Sequence, residues 1–175
     1  MSEFNLEYNK YCDLTDNYAL LISSEKNIFK VPINILPISN MVSVMVDNID
    51  FDNEDLEDNE REIPLFNVND KCLTKIIEFM EHYHVEKMKD IEKPLRSSDL
   101  KDIIQEWYAD FINIDDDFLF SLINAANYMD IQPLLNLGCA KVASLIKNKT
   151  PEEIRTIFNL GENNDIKKDE VKTND

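Results

Sequence analysis

From Asp117 to Phe158 the apolar residues recur at the spacing of an α-helix, broken where a helix has to end. Phe118, Leu119, Leu122, Ile123 and Ala126 fall on one helical face. Asp130-Ile131-Gln132-Pro133 reads as a break and restart, with Pro133 at the first helical position, where its missing N–H costs nothing. Leu134, Leu135, Val142, Leu145 and Ile146 carry the helices that follow. Thr150-Pro151-Glu152-Glu153 is a capping box: the Thr150 hydroxyl accepts from the Glu153 amide and Glu153 reaches back to Thr150. Ile154, Ile157 and Phe158 give that last helix an apolar face, and Gly161 stops it. A chain with this pattern has a helical C-terminal half.

The front half reads differently. Tyr18–Ile22 and Ile28–Val31 are short apolar runs around the turn-forming Ser-Ser-Glu-Lys-Asn, which predicts a β-hairpin. Ile35, Ile38, Val42, Met45 and Ile49 have helical spacing, so a helix is expected over 33–49, with Pro37 tolerated near its start. Asp50–Glu62 is almost wholly acidic and reads as a solvated loop, followed by a short strand at Ile63–Phe66. Asn69 is placed to cap a helix whose buried stripe is Cys72, Leu73, Ile76, Ile77 and Met80. A polar connection over 85–96 leads to a helix capped by Ser97 or Ser98, with Leu100, Ile103, Ile104, Trp107 and Phe111 inward. Strands first and helices after predict an α+β fold.

Charge narrows the partners. The 175 residues hold 35 Asp and Glu against 18 Lys and Arg, a net charge of −17. Neutralising nucleic-acid phosphates needs clusters of Lys and Arg, so no nucleic acid is expected, and no anionic membrane surface. A basic protein surface is the natural complement. Cys12, Cys72 and Cys139 are odd in number and far apart, which fits free thiols in a reducing compartment. Met1–Asn17 carries acids and no apolar run, so no signal peptide is read there, and no segment reaches the roughly 18 apolar residues of a membrane span. A cytoplasmic or nuclear protein is expected.

Enzyme chemistry finds little footing. Gly138 and Gly161 are the only glycines, so no loop can bring backbone amides close to a phosphate, and there is no Gly-x-Ser-x-Gly elbow. His82 and His84 with Glu78 or Glu81 would make a metal pair, but no further ligand stands at a recognisable spacing, and a polar helix end is the simpler reading. The acids from Asp50 to Asp58 lack the sharp-turn glycine of a calcium loop. Asp115-Asp116-Asp117 suits a helix cap. No catalytic residue, metal or cofactor is assigned, and an interaction module is expected in place of an enzyme. The terminal helix, with its bulky apolar face, either closes the core or presents a groove to a partner.

Ala125-Ala-Asn-Tyr-Met-Asp-Ile131 followed by Pro-Leu-Leu resembles the AANYLDI-x-x-LL signature of the Skp-one family. Cys139-Ala-Lys-Val-Ala-Ser-Leu-Ile-Lys-Asn-Lys-Thr-Pro-Glu-Glu-Ile-Arg155, then Ile-Phe-Asn-Leu160, is similar to its C-terminal segment. Ile63-Pro-Leu65 with Asn67-Val-Asn69, and Trp107 with Phe111, match upstream features. The resemblance covers roughly Tyr18 to Leu160 and is most specific after Ala125. It implies a BTB/POZ-like domain over 18–137 and two F-box-binding helices over 138–160, between a flexible extension at 1–17 and a disordered tail at 161–175. It also implies an adaptor that links an F-box protein to a cullin N-terminal domain within a ubiquitin ligase. Asn127 and Tyr128 match cullin-facing positions. Leu119, Ile123, Val142, Ile146, Thr150, Pro151, Ile154, Arg155 and Phe158 fall in segments that contact the F-box.

Family members continue into an acidic helix and a Trp-containing tail; here the chain runs Gly161-Glu-Asn-Asn-Asp and has no Trp after Trp107. That departure predicts weaker or altered F-box affinity. Pro37 and the long N-terminal extension also lack family counterparts. The alternatives are an elongin C-like adaptor or self-associating BTB protein, and a cullin-binding decoy that does not recruit standard F-box proteins. Elongin C-like chains stop near the signature helix, which the Thr150–Leu160 segment speaks against. An apolar groove without its partner also allows a homodimer.

Overall fold

A computed structural model of the protein describes residues 17–50, 53 and 57–158. The extension up to residue 16 with Cys12, residues 51, 52 and 54–56 of the acidic loop, the helix stop at Gly161 and the tail over 161–175 lie outside the described residues.

The hairpin forms as the sequence predicts. Strands β1 (Tyr18–Ile22) and β2 (Ile28–Pro32) pair antiparallel, from Tyr18 opposite Pro32 to Ile22 opposite Ile28. Ser23 and Asn27 close the loop and donate their side-chain hydrogens to the Asp70 carboxylate at the start of the next long helix. Strand β3 (Glu62–Pro64) pairs parallel to β1 on its other side, giving the order β2-β1-β3. Ala19, Leu20 and Leu21 of the central strand are all buried, whereas β2 alternates, with Phe29 and Val31 inward.

The single helix expected over 33–49 does not form. Ile33–Ile38 is a 3-10 turn, Ser39 is extended, and helix α1 runs Asn40–Val46. Pro37 supplies no N–H to a regular helical ladder, and the break falls two residues after it, at Ser39. Ser39 restarts the chain: its buried hydroxyl accepts from the Val42 amide at 3.1 Å and donates to the Met129 carbonyl.

Helix α2 (Asp70–Val85) starts where Asn69 accepts from the Cys72 amide at 2.8 Å. Its buried stripe adds Phe79 to the expected residues. Phe79 is fully buried, with ring centroids of Tyr83, Tyr108 and Phe111 at 5.7, 5.7 and 5.6 Å. The helix expected to begin at Ser97 or Ser98 is also broken. Asp99, not Ser97 or Ser98, caps a 3-10 turn at Leu100–Asp102, and helix α3 is confined to Glu106–Phe111. Gln105 between them is extended, because its side chain is committed elsewhere: it accepts from the Lys89 amide at 3.1 Å and donates to the Lys87 carbonyl at 2.9 Å.

Asp115 caps helix α4 (Asp116–Tyr128), accepting from the Phe118 amide at 2.9 Å. Asp130, at φ 52°, turns the chain, and helix α5 runs Gln132–Ile146. It is one helix, not several, it begins at Gln132 so that Pro133 is its second residue, and it continues unbroken across the boundary expected at 137/138. Helix α6 (Pro151–Ile157) carries the full capping box, with Glu153 N–H to Thr150 Oγ1 at 3.2 Å and Thr150 N–H to Glu153 Oε2 at 2.8 Å. That bond, with Lys149 beside it, holds the Glu153 carboxyl below its ordinary range.

Candidate functional site

Only three residues join α4 to α5, so the two helices pack as an antiparallel hairpin. They pack tightly at Gly138, where an added Cβ would stand 2.5 Å from Ile123 Cγ1. At the far end Lys141 Nζ donates to Asn113 Oδ1 at 3.0 Å. The start of α4 therefore lies beside the end of α5. This places the two sets of residues singled out in the sequence at opposite ends of one hairpin.

The turn end carries Asn127, which is exposed, and Tyr128, which is half-buried against the core. The turn that follows them is pinned by hydrogen bonds. Asp130 accepts from Asn40 Nδ2 at 2.9 Å and from Gln132 Nε2 at 3.0 Å, and its carbonyl accepts from the Asn40 amide. These bonds from Gln132 and Asn40 hold the Asp130 carboxyl below its ordinary range. With the Ser39–Met129 bond they tie α1 to this turn. Val44 of α1 is 64 % exposed and Met45 37 %, a second apolar element on the segment joined to Asn127 and Tyr128.

The other end gathers most of the residues expected to meet an F-box. Val142, Ile154, Arg155 and Phe158 are half-buried, and Ile146, Thr150 and Pro151 are exposed. Ile123 is half-buried beneath Gly138. Leu119 is a correction: it is 0 % exposed and belongs to the core, so it offers no surface. Its neighbour Phe120 was not singled out, yet it is 41 % exposed and meets Phe158 edge-to-face at 5.6 Å. A bulky apolar residue off the inward stripe of α4 was the available signal. No residue of α6 is buried, so its apolar side is only partly covered.

Among the described residues no three His, Cys, Asp or Glu side chains converge on a point. His82 instead lies flat on Trp107, with centroids 3.6 Å apart and planes at 11°. Phe111 continues the stack at 4.9 Å, and Lys75 Nζ sits 4.1 Å from the Phe111 centroid. Burial pushes the His82 imidazole below its ordinary value, against Glu86 and Glu78, which favour the cation. The unfolded chain therefore binds this proton first as pH drops. The contribution of His82 to stability is complete above about pH 6.5 and declines as pH falls toward the folded value. Trp107 is the sole tryptophan, so its emission reports the stack. Imidazolium quenches indole on contact; emission is expected to fall on acidification with a midpoint below 6.5, a transition that H82Q removes. A midpoint at or above 6.5 would contradict the desolvated stack.

Two family descriptions match the chain: Skp1 family, tetramerisation domain, over residues 18–85, and Skp1 family, dimerisation domain, over residues 132–173. The second match crosses the tail that lacks a tryptophan. The S-phase kinase-associated protein 1 homolog of Tetrahymena thermophila is 41 % identical over 141 residues, 80 % of each chain. The SCF ubiquitin ligase complex protein SKP1a of Dictyostelium discoideum is 36 % identical over 140 residues, 80 % of this chain and 82 % of the relative. The E3 ubiquitin ligase complex SCF subunit sconC of Emericella nidulans is 33 % identical over 147 residues, 84 % and 86 % of the two chains.

Proposed function

The chain belongs to the Skp1 (Skp-one) family, and from that premise we propose that it is the adaptor subunit of an SCF-type E3 ubiquitin ligase, holding an F-box substrate receptor to a cullin. Three relatives similar over about four fifths of the chain support this reading, two of them named as SCF subunits. The single structural observation behind it is the α4–α5 hairpin with a different candidate surface at each end. On this reading the protein does no chemistry. It contributes geometry and two interfaces.

The cullin meets the turn end. Tyr128 gives a large, rigid contact of low entropy cost with a polar tip, and Asn127 stands beside it. Val44 and Met45 are exposed on α1, the helix tied to this turn, and are available to the same partner. The F-box meets the other end, where Phe120 and Phe158 join Val142, Ile146, Ile154 and Arg155 around the Thr150-Pro151 helix start. The net charge of −17 steers basic partner surfaces toward the adaptor. Cys72 and Cys139 are free thiols, which suits the reducing cytoplasm or nucleus as the place of action. An elongin C-like role finds less support, since α6 is present and the similarity runs to residue 173. The decoy reading is likewise less favoured, because the relatives are named as SCF subunits.

Calorimetric titration with a cullin N-terminal domain, before and after addition of an F-box fragment, tests the proposal. Binding of both, each near 1:1, is the expected result. Cullin binding without F-box binding would favour the decoy, and binding of neither would leave only shared fold and ancestry.

A further inference from the structure

Two adjoining cavities, of about 400 and 390 Å³, share Tyr83, Gln132 and Pro133 and form one groove beside the start of α5. Each is within the range of ligand pockets, about 300–1,000 Å³. Pro37, Ile38, Tyr83, Met88, Ile91 and Pro133 give it apolar walls. Its charged lining is of the sign opposite to the rest of the molecule: Lys87, Lys89 and Lys93 against Asp90 alone. On a chain of charge −17 these three lysines, among the described residues, have no carboxylate within ion-pair distance. The lysines stand in the same segment as Glu86, Asp90 and Glu92 but are held in no ion pair with them, so they are available to a carboxylate from outside.

The segment that carries the lysines has no regular structure, yet it is pinned. Gln105 holds the backbone of Lys87 and Lys89, the Tyr108 hydroxyl donates to the Glu86 carbonyl, and Lys147 Nζ donates to the Leu95 carbonyl. A groove held in place by such contacts loses little entropy when filled. Asn34 lines one of the two adjoining cavities and Asn136 the other, and their amides can pair with an extended backbone. The side chains of Gln132 and Asn40 are already committed to Asp130.

We propose that this groove is a docking site for an acidic peptide segment of a protein partner, with a bulky apolar residue seated between Pro37, Tyr83 and Pro133 and its carboxylates facing Lys87, Lys89 and Lys93. The charge complementarity carries the choice of occupant. The proposal stands independently of the cullin and F-box reading, since none of the residues assigned to those partners lines the groove.

The test is NMR on the full ¹⁵N-labelled chain, titrated with a pool of acetyl-Glu-Glu-Xaa-Glu-Glu-amide peptides in which Xaa is Leu, Ile, Phe or Tyr. Saturating amide shifts are expected within 34–38, 83–91 and 132–136, at concentrations up to about 1 mM. Binding should weaken at least tenfold in K87E/K89E/K93E, whose exposed replacements leave the core intact, and should weaken with added salt. Absence of shifts, shifts elsewhere, or equal binding by the triple variant would overturn the proposal. So would tighter binding of a single-stranded oligonucleotide, which would assign the lysines to phosphate. Shifts of the same amides with protein concentration alone would give the groove to a second copy of the chain, also against the proposal.

Discussion

Replacing Asn127 and Tyr128 together by lysine is expected to abolish binding of a cullin N-terminal domain, by at least about 100-fold, or close to 3 kcal/mol. The physical case has three parts. Tyr128 is half-buried, so its ring is oriented before a partner arrives, and its loss removes a pre-organised anchor. Asn127 is exposed, so a longer side chain there meets the partner and not the core. Two cations on an acidic adaptor also repel a partner surface chosen for positive charge. The scaffold beneath survives, because the turn is held by Asp130, Asn40, Gln132 and Ser39 and not by the replaced side chains. Calorimetry gives the affinity, and thermal unfolding followed by circular dichroism gives the control. Retained cullin binding would refute the assigned face; lost binding with a collapsed melting temperature would move the test to N127K alone.

The largest expected effect on stability is at Phe79. F79A removes a fully buried ring that touches three other aromatic residues, from both α2 and α3. Such truncations cost about 3–5 kcal/mol, a large part of the roughly 5–15 kcal/mol that stabilises a domain. A chain of this size should melt about 6–20 °C lower. Urea unfolding, read by Trp107 emission and by circular dichroism, measures it. A loss under about 1.5 kcal/mol would mean that the cavity collapses freely and the aromatic centre is not what fixes α3 on α2.

Where the sequence was legible, local signals and burial agreed. The hairpin, the Asn69, Asp115 and Thr150 caps and the stripes of α2 and α4 all follow from side-chain chemistry within one or two turns. Where it was not, a residue was serving a distant partner. Ser39 ends the 33–49 helix because it binds Met129, and Gln105 splits the 97–111 segment because it holds Lys87 and Lys89. Periodicity cannot show either. The candidate site was readable mainly through its resemblance to a family, which picked the segments but not the orientation of each side chain. Leu119 and Phe120 are adjacent and both apolar; the helical spacing already put Leu119 on the inward stripe and Phe120 off it, and the packed α4 leaves the first in the core and the second on the surface. The His82–Trp107 stack and the lysine-lined groove join residues far apart in the chain, so neither has a local signature.

The antiparallel α4–α5 hairpin also acts as a spacing rod. Phe120 and Tyr128 are eight residues apart on one helix, about 12 Å along its axis, so partners at the two ends need not touch each other. Ile123 against Gly138 leaves no slack for one helix to slide along the other. The distance and the angle between two bound partners are then properties of this chain and not of the partners. Exchanging one receptor for another would leave the reach of the assembly unchanged, as a common fitting keeps its bore whichever tool is mounted.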